Sequence, residues 1–282
     1  MTVSRYFQPA SLPEALSLLG EHGPDLLVIA GGTVAMPLIN EGISLPTKVM
    51  GLRRAGLDGI ERRPDGLAIG AMATLTALTT LQEVPLLAEA ARHTASWAVR
   101  NMGTVGGNLF TPPPGGDVAT ALLALDAQVE LVGPGGARTL PLAAFWTGFM
   151  TTGAAPDELV TRILVPVGPG RHAFLKLGRK AANTPAVITV AVSAAMDGDA
   201  VRGVRIALGA ARPHPLRSAG AEAVIEGQRL TPDVIGAAAA VATEDAEPFS
   251  DQVASAWYRR RMVGVVVGRA LAQLAQADGR GA

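Results

Sequence analysis

The spacing of apolar residues predicts that the chain opens with a helix followed by a buried strand. Ser11 and Glu14 stand three residues apart, as in a capping box, with Pro13 in the first predicted turn. Apolar residues then recur at helical spacing over residues 15–19, and Gly20 marks the predicted end of this helix. Residues 26–30 form a short apolar run typical of a buried strand.

The middle of the chain alternates predicted hairpins with predicted helices. Turn residues at 62–66 and at 133–136 each separate two apolar runs, which predicts two hairpins. Residues 86–97 and 118–125 are predicted helices, and Asp117 is the predicted N-cap of the second one.

A break in this pattern predicts a domain boundary. A predicted strand at residues 159–165 is followed by Gly168, Pro169 and Gly170, which end regular structure. Strand-like runs come next, and alanine-rich helical segments follow them, an order typical of an α+β module. The predicted strands are residues 173–177, 187–195 and 201–208, and the last two predicted helices begin near Thr231 and Ser255.

Composition and charge exclude several classes of function. Apolar residues make up 49% of the 282 residues, and 24 basic residues balance 24 acidic ones. This balance argues against nucleic-acid binding and against a polybasic membrane anchor. The longest uncharged stretch near the middle, residues 139–156, is interrupted by proline and glycine, so we expect no membrane span. The first residues lack the pattern of a signal peptide, and we expect a cytoplasmic protein.

Cysteine and histidine, two residue types that ligate metals or act in catalysis, are absent or few in this chain. The chain contains no cysteine, so it cannot hold an iron–sulfur cluster of the usual kind. Its histidines stand far apart in sequence, which predicts no metal site and no catalytic triad; they are His22, His93, His172 and His214. We therefore expect no catalytic residue in this chain.

Two glycine-rich segments predict a ligand pocket. Gly31 and Gly32 follow the predicted strand at residues 26–30, and a second segment spans residues 103–108. Glycine lets the backbone approach a ligand closely, and Gly107 is predicted at a positive φ. Neither segment has the G-x-G-x-x-G spacing of a nicotinamide-binding Rossmann fold. A tight turn remains an alternative for the first segment; in the second, Thr104 and Asn108 are polar groups for which a ligand would supply hydrogen-bond partners.

These segments resemble the FAD-binding subunit or domain of molybdenum hydroxylases, the family of aerobic carbon monoxide dehydrogenase and xanthine dehydrogenase. The resemblance covers nearly the whole chain, because the start and the final helix match as well. It rests on Ala30-Gly31-Gly32-Thr33, on Arg100 to Asn108, on Asp117, on Tyr6 to Pro9 with Ser11 to Ala15, and on Trp257 to Arg261.

The resemblance implies an α+β fold with a two-lobed FAD-binding domain of the vanillyl-alcohol-oxidase-like (PCMH) type. That domain would span residues 1–168, with lobes of about 1–55 and 56–168, and a smaller α+β domain would span 169–282. FAD would be the cofactor, and its implied contacts are Ile29, Ala30, Gly31, Gly32, Thr33, Val34, Thr104, Gly107, Asn108, Phe110, Asp117, Val160 and Lys176.

Charged residues near the second half have specific implied roles. In the family, the acid at the position of Asp117 contacts the ribityl or adenosine part of FAD, and a lysine near Lys176 reaches the flavin ring. A cation there would stabilise negative charge on a reduced flavin. Many relatives carry an acid where this chain has Asn183. The run Arg259 to Arg261 is interpreted as solvated or partner-facing charge, because consecutive helical positions fan over different faces.

The function implied is electron transfer within a complex. A large molybdopterin-binding subunit would oxidise the substrate, and a small subunit with [2Fe–2S] clusters would pass electrons to FAD and on to NAD or another acceptor, in a dimer of heterotrimers. Two alternatives stay open: a stand-alone flavin oxidoreductase, and a flavin- or nucleotide-binding module without turnover.

Overall fold

The computed structural model describes residues 3–276, which form three lobes, each built around its own sheet. The first lobe contains a three-stranded sheet in which the central strand β3 is parallel to both neighbours, in the order β1-β3-β2. The elements of this lobe are β1 (Arg5–Phe7), α1 (Leu12–His22), β2 (Leu26–Ile29), α2 (Ala35–Asn40) and β3 (Lys48–Gly51).

Helix α1 begins as predicted and ends later than predicted. The Ser11 hydroxyl accepts from the Glu14 backbone N–H, as in a capping box, while the Glu14 carboxylate accepts from the N–H of Ala10, the residue before the N-cap. The predicted end at Gly20 is wrong, because the helix continues through His22. Gly23 ends it with a φ of 53°, a conformation that glycine adopts without strain.

The second lobe contains a five-stranded antiparallel sheet in the order β4-β5-β10-β6-β7, covered by short helices. Both predicted hairpins are confirmed, as β4–β5 and β6–β7. The elements are β4 (Ile60–Arg63), β5 (Gly66–Gly70), α3 (Leu75–Leu78), α4 (Pro85–His93), α5 (Trp97–Arg100), α6 (Val105–Leu109), α7 (Asp117–Ala124), β6 (Gln128–Gly133), β7 (Gly136–Pro141), β8 (Trp146–Gly148), β9 (Thr151–Thr152) and β10 (Leu159–Pro166).

The single helix predicted over residues 86–97 is wrong, because the chain breaks between α4 and α5. Ala95 has a φ of 50°, and the Ser96 hydroxyl caps α5 by accepting from the Val99 N–H. The Arg100 guanidinium stabilises this break, since its Nη1 donates to the carbonyls of Thr94 and Ala95 at 2.9 and 3.2 Å. Carbonyls freed at the end of α4 thus gain a charged donor.

The third lobe is a four-stranded antiparallel sheet, ordered β11-β12-β13-β14, between two layers of helices. On one face, Phe174, Ala191 and Ala207 join the core of the second lobe. On the other face, Val190 and Ile206 join a core formed with the last three helices. The elements are β11 (Arg171–Gly178), β12 (Ala186–Asp197), β13 (Ala200–Gly209), β14 (Leu216–Arg217), α8 (Ala219–Ile225), α9 (Pro232–Asp245) and α10 (Ala256–Ala275).

The predicted α+β class is confirmed by this arrangement of sheets and helices. None of the helices within residues 3–276 combines the length and the apolarity that crossing a bilayer requires. The predicted domain limits reach residues 1–2 and 277–282, which lie outside the described part of the chain.

Candidate functional site

A cleft of about 580 Å³ lies between the first and second lobes. Strand β2 and the loop that follows it form one wall, and the start of α6 forms the other. Segment 154–160, which leads into β10, lines the cleft as well. Its volume falls in the range of roughly 300–1,000 Å³ that is usual for cofactor and ligand sites.

The first glycine loop of the cleft packs directly against the second. A Cβ built on Gly31 would overlap the Met102 carbonyl oxygen and would lie 2.9 Å from the Gly103 Cα, both of which are backbone atoms. Gly32 has a φ of 73°, so it turns the chain from β2 towards α2 in a conformation that favours glycine. These two glycines allow the walls of the cleft to meet at its floor.

The second glycine loop is the first turn of α6. Thr104 is its N-cap, and the Thr104 Oγ1 accepts from the Gly107 N–H at 3.0 Å. A Cβ on Gly106 would lie 2.8 Å from both the Cβ and the carbonyl oxygen of Ala71, so this glycine permits close packing of α6 on the lobe. The expected positive φ at Gly107 is wrong, because this residue is helical.

The two buried polar residues of this loop have protein partners. Thr104 caps α6, and the Asn108 Oδ1 accepts from the Ala119 N–H at 2.9 Å, at the start of α7. The expectation that a ligand must satisfy them is therefore wrong for these two oxygens. The Thr104 bond instead closes the first turn of α6, and the Asn108 bond fixes α6 relative to α7, so this wall of the cleft is preformed.

Most residues predicted to contact FAD come together in this cleft. Eleven of them line it: Ile29, Ala30, Gly31, Gly32, Thr33, Val34, Thr104, Gly107, Asn108, Phe110 and Val160. The other two, Asp117 and Lys176, are not among the residues that line it. They lie together at the junction of the second and third lobes.

Asp117 and Lys176 form a buried ion pair. The Lys176 Nζ lies 2.6 Å from the Asp117 Oδ2, and each side chain is only 7% exposed. The Thr189 hydroxyl donates to the other carboxylate oxygen at 2.7 Å, and Lys176 also donates to the His93 carbonyl. The prediction that Asp117 is the N-cap of α7 is wrong. Gly116 occupies that position in a left-handed conformation, which frees the Asp117 carboxylate to bind the third lobe.

One ionisable side chain, Glu158, is found among the described residues that line the cleft. Its carboxylate accepts from Nε and Nη2 of Arg138 at 2.6 and 2.7 Å and from the Ala155 N–H at 2.7 Å. The hydrogen bonds from Arg138 are the main reason that the pKa of Glu158 lies below its ordinary value. Glu158 is therefore a carboxylate at neutral pH and offers no proton there.

Part of the lining of the cleft carries no mark in the sequence patterns described above. Met72, Met150 and Glu158 line the cleft, as do residues 154–156. Met72 and Met150 lie far from both glycine loops in sequence, and no local pattern marks them. The cluster of Ala154, Ala155 and Pro156 before a predicted strand was a signal for a loop, and its position in the fold places that loop at the cleft.

Within the described residues, no three histidine, cysteine, aspartate or glutamate side chains lie close enough together to hold a metal ion. The hydrogen-bond donors at the cleft are instead backbone N–H and hydroxyl groups. They surround a cradle formed at the glycines of the two loops, where the lack of a Cβ leaves room for a ligand. A Cβ on Gly107 would meet the Thr104 Oγ1 at 3.0 Å and the Ala30 Cβ at 3.6 Å. Such a cradle, next to a long apolar wall, fits a large cofactor with a phosphate bridge.

This fold and cleft define a cofactor-binding protein, and comparison with known proteins identifies its family. The family model described as the FAD binding domain in molybdopterin dehydrogenase matches residues 2–168, and that of the CO dehydrogenase flavoprotein C-terminal domain matches residues 172–274. The chain belongs to this family of FAD-binding subunits of molybdenum hydroxylases, and FAD is its cofactor.

Relatives and solved structures match over almost their full length. The carbon monoxide dehydrogenase medium chain of Hydrogenophaga pseudoflava is 34% identical, over 94% of this chain and 95% of that protein. The glyceraldehyde dehydrogenase medium chain of Sulfolobus acidocaldarius is 30% identical, over 96% and 98%. A chain of reconstituted CO dehydrogenase from Oligotropha carboxidovorans superimposes with a TM-score of 0.92 at 32% identity, covering 96% of this chain and 97% of that one. The predicted family, the fold and the role as a flavoprotein subunit of an oxidoreductase are thereby confirmed.

Proposed function

We propose that this chain is the electron-transfer subunit of a molybdenum hydroxylase complex. Electrons come from [2Fe–2S] clusters in a small partner subunit, which receives them from a large molybdopterin-binding subunit, and they leave to NAD or another acceptor. When bound, FAD supplies a carrier that can take electrons singly and release them as a pair. The residues of this chain bind and orient that carrier.

The chemistry of the cleft carries this proposal. Its one ionisable lining residue among those described, Glu158, is held as a carboxylate by Arg138. A stand-alone flavin oxidoreductase that protonates its own substrate needs a donor near the ring. A cleft lined by aliphatic side chains, hydroxyls and backbone suits a subunit that holds a carrier and leaves bond chemistry to another chain.

The absence of cysteine supports the proposal that FAD and the iron–sulfur clusters are bound by different chains. A chain without thiolates cannot ligate [2Fe–2S] clusters of the usual kind, so the clusters must belong to another polypeptide. Several relatives are themselves named as the medium chain of a dehydrogenase or the medium subunit of a hydroxylase. We extend this to a dimer of heterotrimers in the cytoplasm, with this chain divided into an FAD-binding domain at 1–168 and a C-terminal domain at 169–282.

The buried ion pair has a proposed role in this scheme. Lys176 and Asp117 join the third lobe to the second at the end of α4 and the start of α7. Neither residue lines the cleft, so this role requires the flavin ring to reach the junction of the lobes, where Lys176 would stabilise negative charge on the reduced cofactor. The thirteen predicted FAD contacts would then act together, eleven along the cleft and two at the junction of the lobes.

Purification of the tagged full-length chain from its native cells tests the proposal. We expect co-elution with a cysteine-rich iron–sulfur protein and a molybdopterin protein, with FAD, iron and molybdenum present in the same size-exclusion peak. Mass spectrometry and metal analysis of that peak provide the readout. Elution of the chain alone, carrying FAD that a small-molecule substrate reduces without added protein, would contradict the relay and favour a stand-alone oxidoreductase.

A further inference from the structure

A second cavity, of about 220 Å³, lies behind one wall of the FAD cleft. It is bounded by the turn before α7, the β8–β9 hairpin and the segment after β13. Five residues line both cavities: Asn108, Phe110, Thr111, Met150 and Thr152. A molecule bound in this second cavity would therefore touch side chains that also contact the FAD cleft.

The charge of this cavity is one-sided. Arg212 and His214 line it, and none of the described residues that line it is acidic. At the surface, the Arg212 Nη2 donates to the Glu247 Oε1 at 2.8 Å. The Arg212 Nε is buried and has no hydrogen-bond partner within the described part of the chain. A guanidinium carries five N–H donors in a fixed fork; because Nε is closed to a ligand and Nη2 already bonds Glu247, the remaining Nη donors are those left for an anion.

Two aromatic side chains, Trp146 and Phe110, line the cavity. The Trp146 Nε1 donates to the Leu109 carbonyl at 2.9 Å, which sets the orientation of the indole. Phe110 packs edge-on against the buried ring of Phe145, with centroids 5.6 Å apart. The indole of Trp146 is thus held in place, and Phe110, which is 51% exposed, adds further apolar surface to the lining.

The position of Arg212 is set by buried groups. The Nη1 of the fully buried Arg259 donates to the Ala210 carbonyl at 3.4 Å, two residues before Arg212. The Glu247 N–H donates to the Ala211 carbonyl at 3.0 Å, which ties the segment of Glu247 to the same turn. These two hydrogen bonds hold the backbone just before Arg212, whereas the Arg212 side chain itself is 31% exposed.

We propose that this second cavity binds a small planar carboxylate, with the carboxylate on Arg212 and the ring between Trp146 and Phe110. A volume of about 220 Å³ lies below the roughly 300–1,000 Å³ of sites for larger ligands, so the site takes a single ring and not a dinucleotide. Glu247 competes weakly for the guanidinium, because its side chain is 71% exposed and its charge is screened by water.

Titration of the FAD-loaded full chain with benzoate tests this proposal by calorimetry. We expect saturable binding of one benzoate. Benzyl alcohol, which lacks the carboxylate, and inorganic phosphate, which lacks the ring, should each bind at least about tenfold more weakly. Arg212→Gln should weaken benzoate at least about tenfold, and Glu247→Gln should tighten it because a competing carboxylate is removed. The control Arg202→Gln, at an exposed arginine of the same lobe that pairs with Asp197, should leave the affinity unchanged.

Circular dichroism spectra identical to that of the wild-type protein establish that each variant is folded. A wild-type protein that does not saturate with benzoate would overturn the proposal. So would an unchanged affinity in folded Arg212→Gln, or a phosphate affinity equal to that for benzoate.

Discussion

Gly31 lies against the carbonyl of Met102, so close that a Cβ on Gly31 would overlap the oxygen. This contact joins the two glycine loops of the cleft, which are separated by the whole of α2 to α5 along the chain. Neither partner can yield easily, because the atoms in the way belong to the backbone. The shape of the cleft floor therefore depends on the absence of one methyl group.

The variant Gly31→Ala should force the two loops apart and lower FAD affinity by at least about tenfold, which corresponds to 1.4 kcal/mol. Fluorescence titration of the apoprotein with FAD measures this. Gly20→Ala is the matched control, since a Cβ there meets nothing within 4 Å and the residue lies in helix α1, where alanine stabilises by about 1 kcal/mol. Equal FAD affinity in both variants would show that the loop contact does not shape the site.

Arg259 holds the third lobe together from inside. The side chain is fully buried, its Nη1 donates to the carbonyls of Ala186 and Val187 at 3.1 and 2.7 Å, and its Nη2 pairs with Asp251 at 2.8 Å. The interpretation of Arg259 as solvated charge is therefore wrong.

We expect Arg259→Met to lower the free energy of unfolding by about 3–5 kcal/mol, because Asp251 and these carbonyls lose their donor. Urea denaturation followed by circular dichroism measures the change. The neighbouring Arg260→Met is the control, since Arg260 donates to the Thr243 carbonyl at the surface, and it should cost at most about 0.5 kcal/mol. A loss at Arg259 as small as that at Arg260 would contradict the structural role.

The burial of Arg259 shows what the sequence could and could not predict. Along α10, Arg259 lies at helical spacing from the buried residues 263, 266, 267, 270, 271 and 274. The spacing of apolar residues along this helix could therefore have predicted that Arg259 is buried. The two hairpins were predictable because their turns are local. The break at Ala95 was not, since it depends on Arg100 reaching back to carbonyls of α4, and no local sequence pattern marks a positive φ at an alanine.

The candidate site also combines features that local sequence predicts with features that depend on distant contacts. The glycine loops could be found from composition, and eleven of the thirteen candidate residues line one cleft. Asp117 was predicted to be a helix cap, whereas the structure directs its carboxylate to Lys176 and Thr189, 59 and 72 residues away. Partners at such sequence distances depend on tertiary packing, which apolar periodicity does not specify.

The buried pair of Lys176 and Asp117 should contribute to the docking of the third lobe. Replacing Lys176 with Met leaves an unpaired carboxylate at a site where both side chains are 7% exposed, and it should cost about 3 kcal/mol of unfolding free energy. Chemical denaturation of Lys176→Met, Asp117→Asn and the double variant measures the coupling. We expect the double variant to cost less than the sum of the single ones. Strict additivity would mean that the two groups do not interact.

Glu158 should make the free energy of unfolding fall at acid pH. Because Arg138 lowers the pKa of Glu158 in the folded chain, the stabilisation is present above the ordinary carboxyl pKa of about 4.3 and is lost as the pH falls through the lower folded value. The difference in unfolding free energy between the wild-type protein and Glu158→Gln should therefore be constant near neutral pH and shrink below about pH 4.3. Arg138→Gln should remove the same pH-dependent part. A difference that grows on acidification would contradict the assignment.

The FAD content of folded Gly107→Val tests most directly whether the cofactor lies in the cleft between the glycine loops. Gly107 is helical, so the backbone conformation tolerates a side chain, while the added methyl groups would stand beside Thr104 and Ala30 at the cradle. The measurement is the amount of FAD released on denaturation per mole of purified chain, with circular dichroism to confirm folding and Gly20→Ala as control. We expect nearly one FAD per chain in the control and almost none in Gly107→Val. A folded Gly107→Val with full FAD content would contradict it.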